Sequence, residues 1–287
     1  TRALASHGAQ VTMLARSAEK LAEAADRVRA GVPDAELELG TVDLADLASV
    51  RAFADGYLDS HGAIDVLMNN AGVMACPLMR TADGFEMQFG TNHLGHFVLT
   101  GRLGPAVLAG NEPRVVNLSS AAHSTSDVDL DDPNYRDEAS YDPWISYGRS
   151  KTANCLFTRE LARRLEDRGV RSYAVHPGGI MTNLGRHLTE ELIAQMAQRT
   201  AERAEKAGES GGGSFEFKSV PAGAATQVWA ATAPALEDHS GAYLADCRLG
   251  ELGVNVGTYG MEPWILDDAK ARQLWDLSEQ LVGERFF

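Results

Sequence analysis

Ile64-Asp-Val-Leu-Met68 is a short apolar run that stops at the polar cluster Asn69-Asn70-Ala71-Gly72. A run of this length, bounded by a turn signal, reads as a buried strand. The same grammar recurs along the chain. Val11–Ala15 ends at Arg16-Ser17, Arg114–Leu118 at Ser119-Ser120, and Arg171–Val175 at His176-Pro177-Gly178-Gly179. Glu36–Leu44 alternates and reads as a further strand, and Gly241–Ala245 as the last. Between them, helical spacing predicts helices over Ala18–Ala30 (capped by Ser17), Asp46–Leu58, Phe85–Leu108, Tyr147–Asp167, Pro221–Ala231 and Asp267–Val282. Strand and helix in alternation specify an α/β fold, a doubly wound parallel sheet with helices on both faces. Ligands bind outside the carboxyl ends of the strands in such sheets. The polar clusters fall at those ends.

Composition narrows the partners. The 287 residues are 44% hydrophobic and 23% charged, and 26 basic against 40 acidic residues give a net charge of −14. Nucleic acid and anionic lipid are therefore poor general partners. No run of about 18 apolar residues predicts a membrane span. Thr1–Gly8 lacks the features of a signal peptide. Cys76, Cys155 and Cys247 form neither a disulfide framework nor a metal motif, which fits a reducing, cytoplasmic setting. Thr1–Gly8 reads instead as the end of a helix with Gly8 just beyond it. A doubly wound sheet has a strand and a glycine-rich turn ahead of that helix. The expectation is a single domain over 1–287, N-terminally incomplete, with that first strand and the first pyrophosphate cradle absent. Asn183–Ala207 is amphipathic, with Leu188, Leu192, Ile193 and Met196 on one face, and leads through Glu209–Ser214 to Phe215 and Phe217. The segment 183–218 reads either as a substrate lid with an apolar underside or as a surface helical hairpin.

Tyr147-Gly-Arg-Ser-Lys151 carries the chemistry. Residues four apart share a helix face. An ammonium near a phenol favours the phenolate, so Lys151 is expected to lower the Tyr147 pKa and to fit the phenol for proton transfer to an alcohol or carbonyl. Its company is Ser119-Ser120 at one strand end, Asn70-Ala71-Gly72 at another, Asn92-His-Leu-Gly95 in the helix that follows, and Pro177-Gly178 beyond the Tyr147 helix.

In this order these elements resemble the short-chain dehydrogenase/reductase family, with its Rossmann-like sheet, over nearly the whole chain. Thr91-Asn-His-Leu-Gly-His-Phe97, Tyr141-Asp-Pro-Trp144 and Gly241-Ala-Tyr-Leu-Ala-Asp-Cys247 are most similar to the retinol dehydrogenase-like branch, which includes the oxidoreductase domain of WW-domain-containing oxidoreductase. The resemblance implies that Tyr147 exchanges the proton, that Lys151 binds the nicotinamide ribose, that Ser120 holds the substrate oxygen and that Asn92 anchors a water relay. Asp43 and Leu44 would flank the adenine, Asn70, Ala71 and Gly72 the cofactor's centre, and Pro177, Gly178, Ile180 and Thr182 the nicotinamide end. Homodimers are frequent in the family.

Ala15-Arg16-Ser17 offers a guanidinium where NAD-preferring enzymes place an acid, with Lys20 as a second cation, so NADP(H) is expected over NAD(H). His93, His96, His123 and His176 lack metal-ligand company, and no metal is expected. The acidic run Asp127, Asp129, Asp131 and Asp132 reads as a solvated loop. Trp144, Phe215, Phe217 and Trp264 are candidates for an apolar substrate wall. The expected function is the interconversion of a carbonyl and an alcohol on a bulky apolar substrate. The alternatives are an epimerase or dehydratase on the same scaffold, or a non-enzymatic redox sensor.

Overall fold

The computed structural model describes residues 1–206 and 217–287. Glu209–Ser214 and Phe215 lie outside the described residues. Seven strands matter to the site: β1 (Val11–Ala15), β2 (Leu37–Thr41), β3 (Val66–Asn69), β4 (Arg114–Leu118), β5 (Arg171–His176), β6 (Tyr243–Ala245) and β7 (Arg248–Leu249). β3, β4, β5 and β6 pair in parallel in that order, and β7 closes the edge antiparallel to β6. β1 and β2 pair in parallel as a separate two-stranded sheet, and no described strand joins β1 to β3. The parallel pairs bring the polar strand ends into one row, because registers such as Leu118 with Val175 align their carboxyl termini. Every residue of β4 is buried, as expected of a strand covered on both faces.

Sequence signals explain most helix boundaries. Ser17 accepts a hydrogen bond from the Lys20 N–H (3.3 Å) and starts the helix Ala18–Gly31. Asp46 caps Leu47–Ser60 through the Ala48 N–H (2.9 Å). Asp142 caps Pro143–Leu165 through the N–H groups of Trp144 and Ile145, both at 2.8 Å. That helix starts four residues ahead of Tyr147 because Asp142-Pro143 supplies both a cap and a preset first turn. Asp267 starts Asp268–Val282, and Gly283 ends it at φ 71°.

Two expected helices are broken. The stretch expected as one helix over Phe85–Leu108 runs as Met87–Phe89, a π-helical turn Gly90–Leu94, and Gly95–Arg102, before restarting as Gly104–Leu108. Gly95 lies so close to the chain at Leu44 that a Cβ there would stand 2.5 Å from the Leu44 carbonyl oxygen. Pro105 lacks the N–H needed to continue the preceding turn. The Asn183–Ala207 stretch divides into a 3₁₀ turn, Asn183–His187, and the helix Glu190–Lys206, where the Thr189 hydroxyl accepts from the Leu192 N–H.

The core lies on both faces of the sheet. On one face Phe97 meets Trp275 (4.9 Å between centroids), Phe157 (5.7 Å) and Phe286 (5.5 Å). On the other, Val116, Tyr173, Val175 and Leu244 pack against Ala230 and Leu236. Trp275 is buried, stacks on Phe157, and donates its indole N–H to Glu279 at 2.9 Å. Trp275→Ala is expected to cost about 3–5 kcal/mol of folding stability. Urea unfolding checks this through a lower midpoint at unchanged slope.

Candidate active site

The Pro143–Leu165 helix buries Tyr147 (4% exposed) and Lys151 (5%) against the end of β4. Lys151 Nζ lies over the Tyr147 ring, 5.6 Å from its centroid, and donates to the Leu118 carbonyl at 3.0 Å. Asn154 Nδ2 donates to the same carbonyl at 2.7 Å. Ser119 Oγ donates to the Lys151 carbonyl (2.9 Å) and accepts from Cys155 Sγ–H (3.1 Å). Strand and helix are thus stitched together where β4 ends. Ser120 is half-buried beside the phenol, and its hydroxyl accepts from the Ala122 N–H (3.1 Å). His176 Nδ1 accepts from the N–H groups of Ala121 (3.2 Å) and Gly178 (3.4 Å), which ties the ends of β4 and β5 together.

Asn92 is fully buried in the π-helical turn. Single π turns inside α-helices often mark functional sites. Its side-chain oxygen accepts from the Val73 N–H (2.8 Å), and its NH₂ donates to the Val73 carbonyl and to Ser150 Oγ, both at 2.9 Å. Ser150 Oγ in turn donates to the Tyr147 carbonyl at 2.8 Å. Gly72 sits between these groups: a Cβ there would lie 2.8 Å from Asn92 Oδ1 and 3.8 Å from Lys151 Nζ. His96 Nδ1 lies 2.9 Å from the Asn92 carbonyl oxygen. Burial, chiefly, lowers the His96 pKa to about 4, so its ring is neutral at pH 7 and donates to that carbonyl.

Electrostatics corrects one expectation. Burial pushes the Tyr147 phenol up to about 12, with the Ser120 hydroxyl opposing, rather than Lys151 bringing it down. The ammonium lies over the ring and is bonded to a backbone carbonyl, and desolvation of the phenolate dominates. Burial also lowers Lys151, from 10.5 to about 8. At pH 7 the phenol is neutral and the lysine charged.

The remaining expected positions line the strand ends. Arg16 is exposed and Asp43 half-buried at the ends of β1 and β2, with their side chains 4.0 Å apart, and Ser17 serves as a helix cap. Leu44 is buried beneath Gly95. Asn70 and Ala71 are exposed beyond β3. Pro177 and Gly178 (φ 86°) follow β5, and Ile180 bridges to Lys218. Thr182 is exposed and caps the next turn through the Leu184 N–H (3.3 Å).

An apolar cluster of Ala75, Ala122, Trp144 and Tyr147 receives Met74, Leu188, Leu192 and Met196. The Trp144 indole donates to the Leu192 carbonyl at 3.2 Å. Three residues on the expected apolar face thus meet the Tyr147 cluster, whereas Ile193 is 47% exposed. Phe217 is 50% exposed, and Trp264 packs with Ile265 and Tyr243 in a different cluster. Met74, Ala75 and Ala122 belong to the Tyr147 cluster and carry no sequence signal beyond their proximity to Gly72 and Ser120. Three of the four acids in the run form ion pairs: Asp127 with Lys270, Asp129 with Arg149 (3.2 Å), and Asp132 with Arg136 (3.3 Å).

Comparison with known proteins places the chain in a family. A family profile described as enoyl-(acyl carrier protein) reductase matches residues 1–209. Retinol dehydrogenase 14 of Homo sapiens is 40% identical over 289 residues, covering 96% of this chain and 80% of its own length. Retinol dehydrogenase 12 of Homo sapiens is 37% identical over 285 residues, covering 99% and 82%. A solved structure of an uncharacterized protein from Mycobacterium paratuberculosis, 36% identical, superposes with a TM-score of 0.71 over 100% of this chain and 88% of that one. The chain belongs to the short-chain dehydrogenase/reductase family of oxidoreductases. Within it, the chain falls in the retinol dehydrogenase-like branch. No helix among the described residues is long and apolar enough to cross a membrane.

The buried ammonium has a measurable cost. Lys151 has a folded pKa of about 8 and an ordinary value of 10.5, so the folded chain loses this proton before the unfolded chain does. Stability therefore rises with pH between those values, and the penalty is complete below them. Lys151→Met should be more stable than the parent at pH 7 by about 1–3 kcal/mol, the desolvation gain less one hydrogen bond. The Leu118 carbonyl keeps its bond from Asn154. The advantage should fade as pH climbs from about 8 to 10.5, as followed by urea unfolding.

Proposed function

We propose that the chain is an NADP(H)-dependent oxidoreductase that interconverts a carbonyl and an alcohol on a bulky apolar substrate. The observation that carries this reading is the convergence of Tyr147, Lys151, Ser120 and Asn92 at the carboxyl ends of β3 and β4, beneath the apolar cluster of Trp144, Leu188 and Leu192. Glycine at 72 lets the turn where a dinucleotide would lie pass close to Asn92, because a Cβ there would stand 2.8 Å from Asn92 Oδ1. The groups that would hold it are Arg16, Ser17, Asp43 and Leu44 at one end, Asn70, Ala71 and Gly72 at the centre, and Pro177, Gly178, Ile180, Thr182, Tyr147 and Lys151 at the other. A bound nicotinamide supplies or accepts the hydride.

The protein's part is proton transfer and orientation. In reduction the neutral Tyr147 phenol donates to the substrate oxygen while the Ser120 hydroxyl holds that oxygen in place. Lys151 keeps positive charge over the ring as the phenolate forms, an interaction strengthened by the dry surroundings. Asn92 fixes the turn at Gly72 and anchors the path by which the proton is replaced. The segment 183–206 serves as a lid whose Leu188, Leu192 and Met196 cover the apolar end of the substrate.

Preference for NADP(H) rests on Arg16. Its pairing with Asp43 is long and exposed, a class of ion pair worth about 0–1 kcal/mol, so a 2′-phosphate can take the guanidinium. Tyr147→Phe should lower turnover of a carbonyl panel by about 10³-fold or more and leave NADPH affinity within about twofold. Retained turnover refutes the assigned proton donor. Arg16→Glu should weaken NADPH by about 10-fold or more and NADH far less, by fluorescence titration. An equal loss for both dinucleotides removes the cofactor assignment.

A further inference from the structure

Asn92 has a counterpart one turn earlier. Gln88 is fully buried, on the same helical segment and four residues before Asn92. Its side-chain oxygen accepts from the Ala75 N–H at 2.8 Å. Its NH₂ donates to the Pro143 carbonyl at 2.9 Å and to Tyr141 Oη at 3.1 Å. Asn92 does the same two residues back along the loop and two turns along the helix: its oxygen holds the Val73 N–H and its NH₂ reaches Ser150. Two primary amides thus bracket the loop after β3, each clamping one loop N–H to the Pro143–Leu165 helix.

The loop residue that Gln88 holds is strained. Ala75 has φ 45°, in the left-handed region that side chains other than glycine avoid. Such a conformation persists only where its surroundings over-determine it. Ala75 is completely buried and belongs to the apolar cluster that contains Tyr147 and Trp144. The far end of the clamp is equally pointed, since Pro143 begins the helix that carries Tyr147. Glu86, also fully buried, caps the Gln88 segment through the Gln88 N–H (3.0 Å) and Phe89 N–H (2.7 Å), and so fixes where Gln88 stands.

We infer that Gln88 is a positioning residue that sets the substrate wall, holding Met74-Ala75 at a fixed separation from Trp144 and Tyr147, while Asn92 independently fixes the Gly72-Val73 turn on the cofactor side. The division of labour follows from the bonds: Gln88 touches Ala75 and Pro143, Asn92 touches Val73 and Ser150, and their side-chain partners do not overlap. Gln88 is therefore a determinant of which substrates fit rather than of proton transfer. The kinetic part of this inference rests on the function proposed above; the structural part does not.

The test uses Gln88→Met, which keeps the side-chain length and removes both the acceptor and the donors. With saturating NADPH, decanal and acetaldehyde serve as long and short carbonyl probes. KM for decanal should rise about 10-fold or more with kcat within about threefold, while kcat/KM for acetaldehyde stays within about threefold. NADPH affinity, measured without carbonyl by fluorescence, should stay within about twofold. In hydrogen exchange resolved by NMR, the Ala75 amide should lose about 10-fold or more of its protection while the Val73 amide keeps its own. A proportional loss for both aldehydes, or unchanged kinetics and exchange, overturns the inference. If the parent reduces neither aldehyde, the proposed function fails, and the two exchange rates still decide the role of Gln88. Should Gln88→Met not fold, the parent decides alone: Ala75 and Val73 amides protected alike support the clamp, and an Ala75 amide exchanging at the rate of the exposed loops overturns it.

Discussion

One carbonyl oxygen, that of Leu118, receives two donors from the facing helix, the Lys151 ammonium and the Asn154 amide. Much of the site follows from that junction. A lysine buried to this degree loses the hydration that stabilises its charge, and only firm polar partners make its retention tolerable. The strand end supplies the partner. In return the helix is held in one rotational setting, with Tyr147 facing Ser120 and Lys151 facing Gly72. Burial acts on both members of the pair, lifting the phenol and lowering the ammonium, so both charged forms are disfavoured and the phenol holds its proton until a substrate oxygen takes it.

Beneath the junction runs a second tier of polar side chains. Asn69 on β3 donates to Asn117 on β4 (2.8 Å) and to Thr100 (2.9 Å). Asn117 donates to Thr158 on the Tyr147 helix (3.0 Å) and to Ser172 on β5 (3.4 Å). These groups are buried, so each bond replaces water that is no longer available. The network fixes three strands and two helices at one height. With the paired amides of Gln88 and Asn92 above it, the interior near the strand ends is organised by hydrogen bonds, while the aromatic cluster around Phe97 and Trp275 supplies bulk stability farther away.

The sequence discloses the parts with local signatures. Strand β1 matches its expected bounds because a β-branched apolar run meets Arg16-Ser17 abruptly. Asp46, Ser17 and Asp267 cap as their residue types suggest. Asn92, Ser120, Tyr147 and Lys151 are legible only as an ordered set, and the structure places them around one strand end. What stays hidden depends on tertiary contact. The break at Gly90–Leu94 follows from the approach of Gly95 to Leu44, which lies far away in the chain. Desolvation of Tyr147 follows from what covers it, so spacing alone suggests the wrong direction for its pKa. Gln88 gives no signal at all, because a buried glutamine in a helical run looks like a surface one until its partners Ala75 and Pro143 are known.

The retinol dehydrogenase-like membership and the geometry meet in the buried ammonium at the end of β4. Its own titration is the most direct observation of that arrangement. In a protein labelled with ¹³C at lysine Cε, one resonance should titrate near 8 and vanish in Lys151→Met. A spectrum in which every lysine titrates near 10.5 would show Lys151 to be solvated, and would contradict the account.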